Sequence, residues 1–411
     1  MTLKFRLIIL NFFEYAVWGA WLISLGTYLG GTLHFTGLQI GSFYATMGIA
    51  SLVMPAVIGI IADRWIPAQK MLSICHLVAA AFMVWAVKHT DYDTLYMLIL
   101  LSVLFYMPTI ALSNSVAYNA LSMSNLDTVK HFPPIRVWGT IGFIAAMWAV
   151  DLLGIRSTPY QLYLSAGLGI VLGIYSFTLP NCAVNKNIQK QSWIDTFGLR
   201  AFSLFKQKKM AIFFIFSMFL GMSLQITNAF GNSYLTDYFG KITKYQNTFG
   251  VEHSTILISL SQMSETLCIL LIPFFLRKFG IKIVMLISMF AWVFRFGLLG
   301  TGNPGAGVWM LVLSMLVYGV AFDFFNISGS LFVDKETNAA IRSSAQGVFM
   351  IMTNGLGAFI GSYAAGMVVD AVKWPNSWFV FAGFALIVAI LFMLFFKYKH
   401  NRVGGQFQVH S

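Results

Sequence analysis

Six ionisable side chains stand inside long apolar stretches: Glu14, His76, Arg136, Glu265, Arg295 and Asp323. An ionised group at mid-membrane costs roughly 2.5–3.5 kcal/mol on insertion scales. Groups kept there at that cost are candidates for chemistry, and their neighbours suggest which. Arg136, Thr140 and Phe143 recur at i, i+4 and i+7, so one helix face carries a guanidinium, a hydroxyl and a ring. Gln225 and Asn228 stand at i and i+3, and so do Gln262 and Glu265. Amides donate and accept, which suits heterocycle edges and sugar hydroxyls. Tyr318 and Phe322 share a face, with Asp323 beside it. A carboxyl group in a desolvated position is suited to carrying a proton.

Each group also has a plain reading. Arg136 can snorkel to an interface. The amides can be interhelical glue, and Asp323 can be a fixed partner of a basic residue. Glu14 reads equally well as a second proton site or as a polar plug. Arg295 is expected to be structural, and His76 to be a satisfied packing histidine.

These residues must be positioned by helices. The chain has 411 residues, 58% hydrophobic and only 10% charged, with 39 Phe and 11 Trp. That composition excludes a soluble enzyme, a disordered chain and a collagen-like repeat. Apolar runs give twelve segments: 5–31, 38–62, 69–88, 94–122, 134–154, 160–180, 210–239, 252–279, 281–301, 305–333, 341–371 and 376–397. The first is too long for a signal peptide and is expected to be a membrane helix. Pro133 and Pro134 fit the start of the fifth.

The longest connection, 181–209, is polar and basic and separates an N-terminal half, 1–180, from a C-terminal half, 210–400, with a tail at 401–411. Nineteen of the 26 Lys and Arg residues fall on the side of the termini and the central loop. Lys88, Arg156, Lys241, Lys244 and Lys373 fall on the other side, and Arg136 and Arg295 lie inside helices. By the positive-inside rule both termini are cytoplasmic. The net charge of +12 therefore sets topology rather than marking a nucleic-acid partner.

Cys75, Cys182 and Cys268 are too few and too scattered for a disulfide framework or a metal site. No Gly-rich phosphate-binding loop is seen, which argues against an ATP-driven pump in this chain. The sequon at Asn326 lies in an apolar run and is read as chance. The pairs Gly26/Gly30, Gly169/Gly173 and Gly357/Gly361 read as helix-packing faces.

An all-α membrane protein of twelve helices, in two pseudo-symmetric groups of six, has the layout of the major facilitator superfamily. Gly59, Asp63 and Arg64 resemble that superfamily's loop motif between its second and third helices. A carboxylate and a guanidinium at a helix end can act as a conformational latch. The Arg277–Gly280 loop of the second half lacks the acid.

More specific blocks follow. They are 132–143, 224–228, 261–266, 321–330, 345–347 and 353–355, with similarity continuing from the first helix to the 396–400 tail. With these the sequence resembles the bacterial nucleoside:proton symporters of that superfamily.

The resemblance implies a nucleoside pocket from Arg136, Thr140 and Phe143 in one half. Gln225, Asn228, Gln262, Glu265, Tyr318 and Phe322 would come from the other. Asp323 would couple the proton, with Glu265 binding substrate or sharing that role. The expectation is a proton-coupled nucleoside importer of the bacterial inner membrane, monomeric, not an enzyme and without metal or nucleotide cofactor. Its partners would be nucleoside, protons and lipid. A sugar or sugar-acid:proton symporter of the same fold is the first alternative. A membrane sensor or intramembrane enzyme is the second.

Overall fold

The computed structural model describes residues 2–182, 199–338 and 341–398. Much of the expected central loop and the whole 401–411 tail lie outside this range. Within it the chain is almost entirely helical. Nine helices are long and apolar enough to cross a membrane. One of them, Ser254–Thr301, holds two spans joined at Gly280, whose φ of 75° breaks the helix. The 17-residue helices Leu3–Gly19 and Tyr160–Ser176 complete twelve segments.

We number these α1 (Leu3–Gly19, extended by Leu25–Thr27 and a wide turn Tyr28–Thr32), α2 (Gly37–Arg64), α3 (Ala68–Ala86), α4 (Tyr92–Met123), α5 (Thr128–Leu152) and α6 (Tyr160–Ser176). The second half holds α7 (Lys208–Ser233), α8 (254–279), α9 (281–301), α10 (Val308–Glu336), α11 (Arg342–Met350, Ile351–Gly357 and Ala358–Val372) and α12 (Asn376–Phe395).

Large side chains such as Trp85, Ile174, Leu270, Phe294 and Ile387 stay exposed and form the coat that faces lipid. The inner faces are closed by small residues. A methyl group at Gly357 would stand 2.6 Å from the Met218 carbonyl oxygen, so α11 lies directly on α7. Gly361 meets Met222 in the same seam, and Gly169 and Gly173 seat α6 on α3.

Two expectations about helix ends change. The fifth helix starts at Thr128, not at 134, so Pro133 and Pro134 lie inside it. The Asp127 carbonyl accepts the His131 N–H at 3.0 Å, which adds a turn ahead of the prolines. The first helix is not continuous either. It unwinds into turns after Gly19 and resumes at Leu25.

The halves are tied together at the end of the bundle away from Leu3 and Phe395. Asp370 on α11 accepts the Gly37 and Leu38 N–H groups at 2.7 and 2.8 Å, so a carboxylate of one half caps a helix of the other. Asn232 donates to Thr27 at 2.7 Å, and the Trp148 indole donates to Ser259 at 2.9 Å.

The densest tie is at Asp151, whose side chain is fully buried. It faces His253 Nδ1 at 2.7 Å, the Thr255 hydroxyl at 2.6 Å and Arg156 at 3.2 Å. Arg156 also donates to the Glu252 carbonyl. Asp151→Ala strands these donors at once. We expect it to shift the equilibrium toward a far-end-open conformation about tenfold or more. Spin labels on the 153–159 and 241–248 loops should report longer distances. An unchanged distance distribution would remove Asp151 from the closure.

Candidate functional site

The site grows from α1, α5, α7, α8 and α10. On α5, Gly139 and Gly142 let α1 approach, since a methyl group at Gly139 would overlap the Tyr15 ring. That approach puts the Arg136 guanidinium 3.9 Å above the Tyr15 ring, where it also hydrogen-bonds the phenol. This contact anchors Arg136 on α1. Thr140 is half-buried one turn on, and Phe143 is buried edge-on against Trp18 with centroids 6.2 Å apart.

From the other half, Glu265 on α8 stands in electrostatic reach of Arg136 and Tyr15. The facing groups are thus a cation stacked on a phenol and a carboxylate across from it. Glu265 and Gln262 are half-buried. Gln262 hydrogen-bonds the Tyr318 phenol, so part of its capacity does link helices. On α7, Asn228 reaches Gln225 of its own helix, at a long 3.5 Å. Most of their donor and acceptor capacity stays available for a ligand.

Tyr318 and Phe322 are stacked, 5.9 Å apart at 13°, and present a flat aromatic wall. Behind it Arg295 lies 4.8 Å from the Tyr318 ring and donates to the Ser314 carbonyl. Arg295 joins α9 to α10, in keeping with a structural role, yet it also sets the ring that the wall depends on.

Asp323 is 3% exposed, and its Oδ2 has no hydrogen-bond partner among the described residues. Its interaction across the site is with another carboxylate, Glu265. Among the described residues it makes no ion pair with Arg or Lys. Two neighbouring carboxyl groups repel when both are ionised, and one proton relieves that repulsion.

Sequence reasoning missed Tyr15 and Trp18. Both lie on one α1 face at i and i+3, a spacing that ordinary packing shares. His76 was expected to be satisfied, yet its Nδ1 has no partner among the described residues. Of the proposed latch, Gly59 has open space around it and Arg64 ends α2, while the Asp63 side chain lies outside what is described.

The family description that fits this chain is "Nucleoside H+ symporter", over residues 1–401. The chain belongs to that family. It is 49% identical to the xanthosine permease of Escherichia coli over 408 residues, covering 98% of this chain and 97% of the permease. It is also 49% identical to the nucleoside permease NupG of Escherichia coli over 410 residues, covering 98% of each. A crystal structure of nucleoside transporter NupG superposes with a TM-score of 0.91 at 48% identity, covering 97% of this chain and 100% of the other. This symporter is a multi-pass membrane protein with the major facilitator fold.

One expected result tests the amide pair. Gln225→Ala should weaken nucleoside binding to this symporter by about tenfold, the loss of one buried hydrogen-bonding group. Equal affinity by calorimetry would take Gln225 out of the pocket.

Proposed function

We propose that this chain carries nucleosides into the cell together with protons, by alternating access around a site between its halves. The observation that carries the reading is the pairing of ligand-ready groups with an unpartnered carboxyl group. Arg136, Thr140, Phe143, Gln225, Asn228, Gln262, Glu265, Tyr318 and Phe322 would line that site. Buried Asp323 follows Phe322 on α10 and has no counter-ion among the described residues.

The aromatic surfaces suit a planar base, and the amides and Glu265 suit its polar edges and the ribose hydroxyls. Family membership and the two relatives named for nucleoside or xanthosine transport support the substrate class.

A proton on Asp323, or shared with Glu265, removes charge from the dry site before the halves rock. With substrate and proton bound, the ties at Asp151, Asp370 and Asn232 form and close the far end. Loss of the proton on the other side restores repulsion between the carboxylates and favours release. Gly59, Asp63 and Arg64 would latch the opposite end in the alternate state. The bias of Lys and Arg toward the termini supports cytoplasmic termini, so the far end would face outward. The protein would sit in the bacterial inner membrane.

The test is direct. Nucleoside added outside lightly buffered proteoliposomes should draw protons inward, so the medium turns alkaline at a rate that follows uptake. Uptake with no pH change would contradict proton coupling.

A further inference from the structure

Away from the substrate site, α1, α3 and α4 enclose a second ionisable pair. Glu14 is fully buried and His76 is 1% exposed. His76 Nε2 lies 2.9 Å from Glu14 Oε2, and the Thr109 hydroxyl lies 2.6 Å from Oε1. The Tyr106 hydroxyl donates to the Glu14 backbone carbonyl at 2.8 Å, which fixes the height of α1 against α4.

The Thr109 hydroxyl also lies 2.5 Å from the Tyr106 carbonyl. It has one proton to donate, so it serves either neighbour. With Glu14 ionised, Thr109 donates to the carboxylate. With Glu14 protonated, Glu14 donates to Thr109, and Thr109 donates to the carbonyl. Both states of the acid are therefore hydrogen-bonded without movement of the backbone.

The histidine is prepared in the same way. Its Nδ1 is buried and has no partner among the described residues. The ring borders a small cavity with Val17, Trp21, Ser102, Tyr106 and Gly169, with space for roughly one water molecule. A water there would accept from Nδ1 when the ring is charged and donate to it when the ring is neutral.

The charged and titratable neighbours are few. α3 presents Cys75 beside His76, and α4 presents Tyr106. α5 presents Arg136 across Tyr15, and Glu265 of the other half lies beyond it. α6 contributes only Ser165, which donates to the Val17 carbonyl at 2.8 Å. Glu14 and Tyr15 are adjacent on α1, so the pair stands one residue from the ring that carries Arg136.

We propose that Glu14 and His76 form a second proton-binding site, confined to the N-terminal half and separate from Asp323 and Glu265, that adjusts Arg136 through Tyr15. When the pair loses its proton, its negative charge draws on Arg136 and competes with Glu265. When the proton is bound, the pair is neutral and Arg136 is available to Glu265 and the nucleoside.

This rests on the proton-coupled reading only in placing Arg136 at the nucleoside. Its test is separate. Nucleoside affinity measured by calorimetry as a function of pH should show two inflections in the wild type, one for each proton-binding site. Glu14→Gln keeps shape and hydrogen bonding and should remove one inflection. Asp323→Asn should remove the other. A Glu14→Gln profile that superimposes on wild type would overturn the second site. If that variant does not purify, His76→Gln decides by the same readout, since it leaves Glu14 a donor but no base to share the proton. Failure of Asp323→Asn to alter the profile would count against the main coupling site and leave the Glu14 result standing.

Discussion

Asp323→Asn is expected to abolish accumulation of nucleoside against its gradient while leaving exchange of internal for external nucleoside largely intact. The reasoning starts from the lone Oδ2. A buried carboxyl group without a counter-ion is costly as an anion, and a proton relieves that cost. An amide has the size of the protonated acid but never ionises, so the variant behaves as permanently loaded. It can bind and carry nucleoside both ways, but it cannot release a proton inside. In the wild type, one pH unit supports roughly tenfold accumulation per proton carried. In the variant the ratio should fall to about one. Counterflow in proteoliposomes should remain measurable. Uphill uptake equal to wild type would take Asp323 out of the coupling step.

The second large effect is expected at Arg136. Lysine keeps the charge but loses the planar fork and the stacking surface that lies 3.9 Å above Tyr15. A lysine ammonium is compact and strongly hydrated, and it holds a phenol face less firmly than guanidinium does. It therefore faces Glu265 from a less defined position. Loss of one stacked, hydrogen-bonded cation in a desolvated site costs about 1–3 kcal/mol, or roughly tenfold to a hundredfold in transport rate at low substrate. Arg136→Lys at wild-type uptake would return the residue to an interfacial role.

The contrast between Asp323 and Asp151 shows what the sequence can reveal. Asp323 was legible because it stands mid-helix among Tyr318, Phe322 and Phe324, where a charge is expensive. Asp151 stands near a helix end, beside a loop that holds Arg156, and reads as an ordinary solvated charge. Only folding brings His253 and Thr255 to it, from 102 and 104 residues away. Glu14 and His76 were each visible as ionisable groups in apolar runs. Their pairing, across 62 residues, was not.

Twelve spans followed from hydropathy alone, because lipid imposes length and apolarity on every crossing. The break after Gly19 and the early start of α5 did not, because both depend on particular contacts that hydropathy does not record. In α1 the glycines let the chain lie against α5 and α7, and in α5 the Asp127 carbonyl opens an extra turn. Tyr15 was hidden for a different reason. An aromatic residue on a membrane helix is usually packing, and nothing in its spacing marks it as the platform for Arg136.

Gradient-driven uptake is the most direct measurement of the central claim. Purified protein in liposomes, with the medium more acidic than the interior by one pH unit, should accumulate labelled uridine roughly tenfold per proton carried. A protonophore should collapse the accumulation, and excess unlabelled nucleosides should compete where disaccharides do not. Accumulation that ignores the pH gradient, or competition by a disaccharide as strong as that by a nucleoside, would contradict the account.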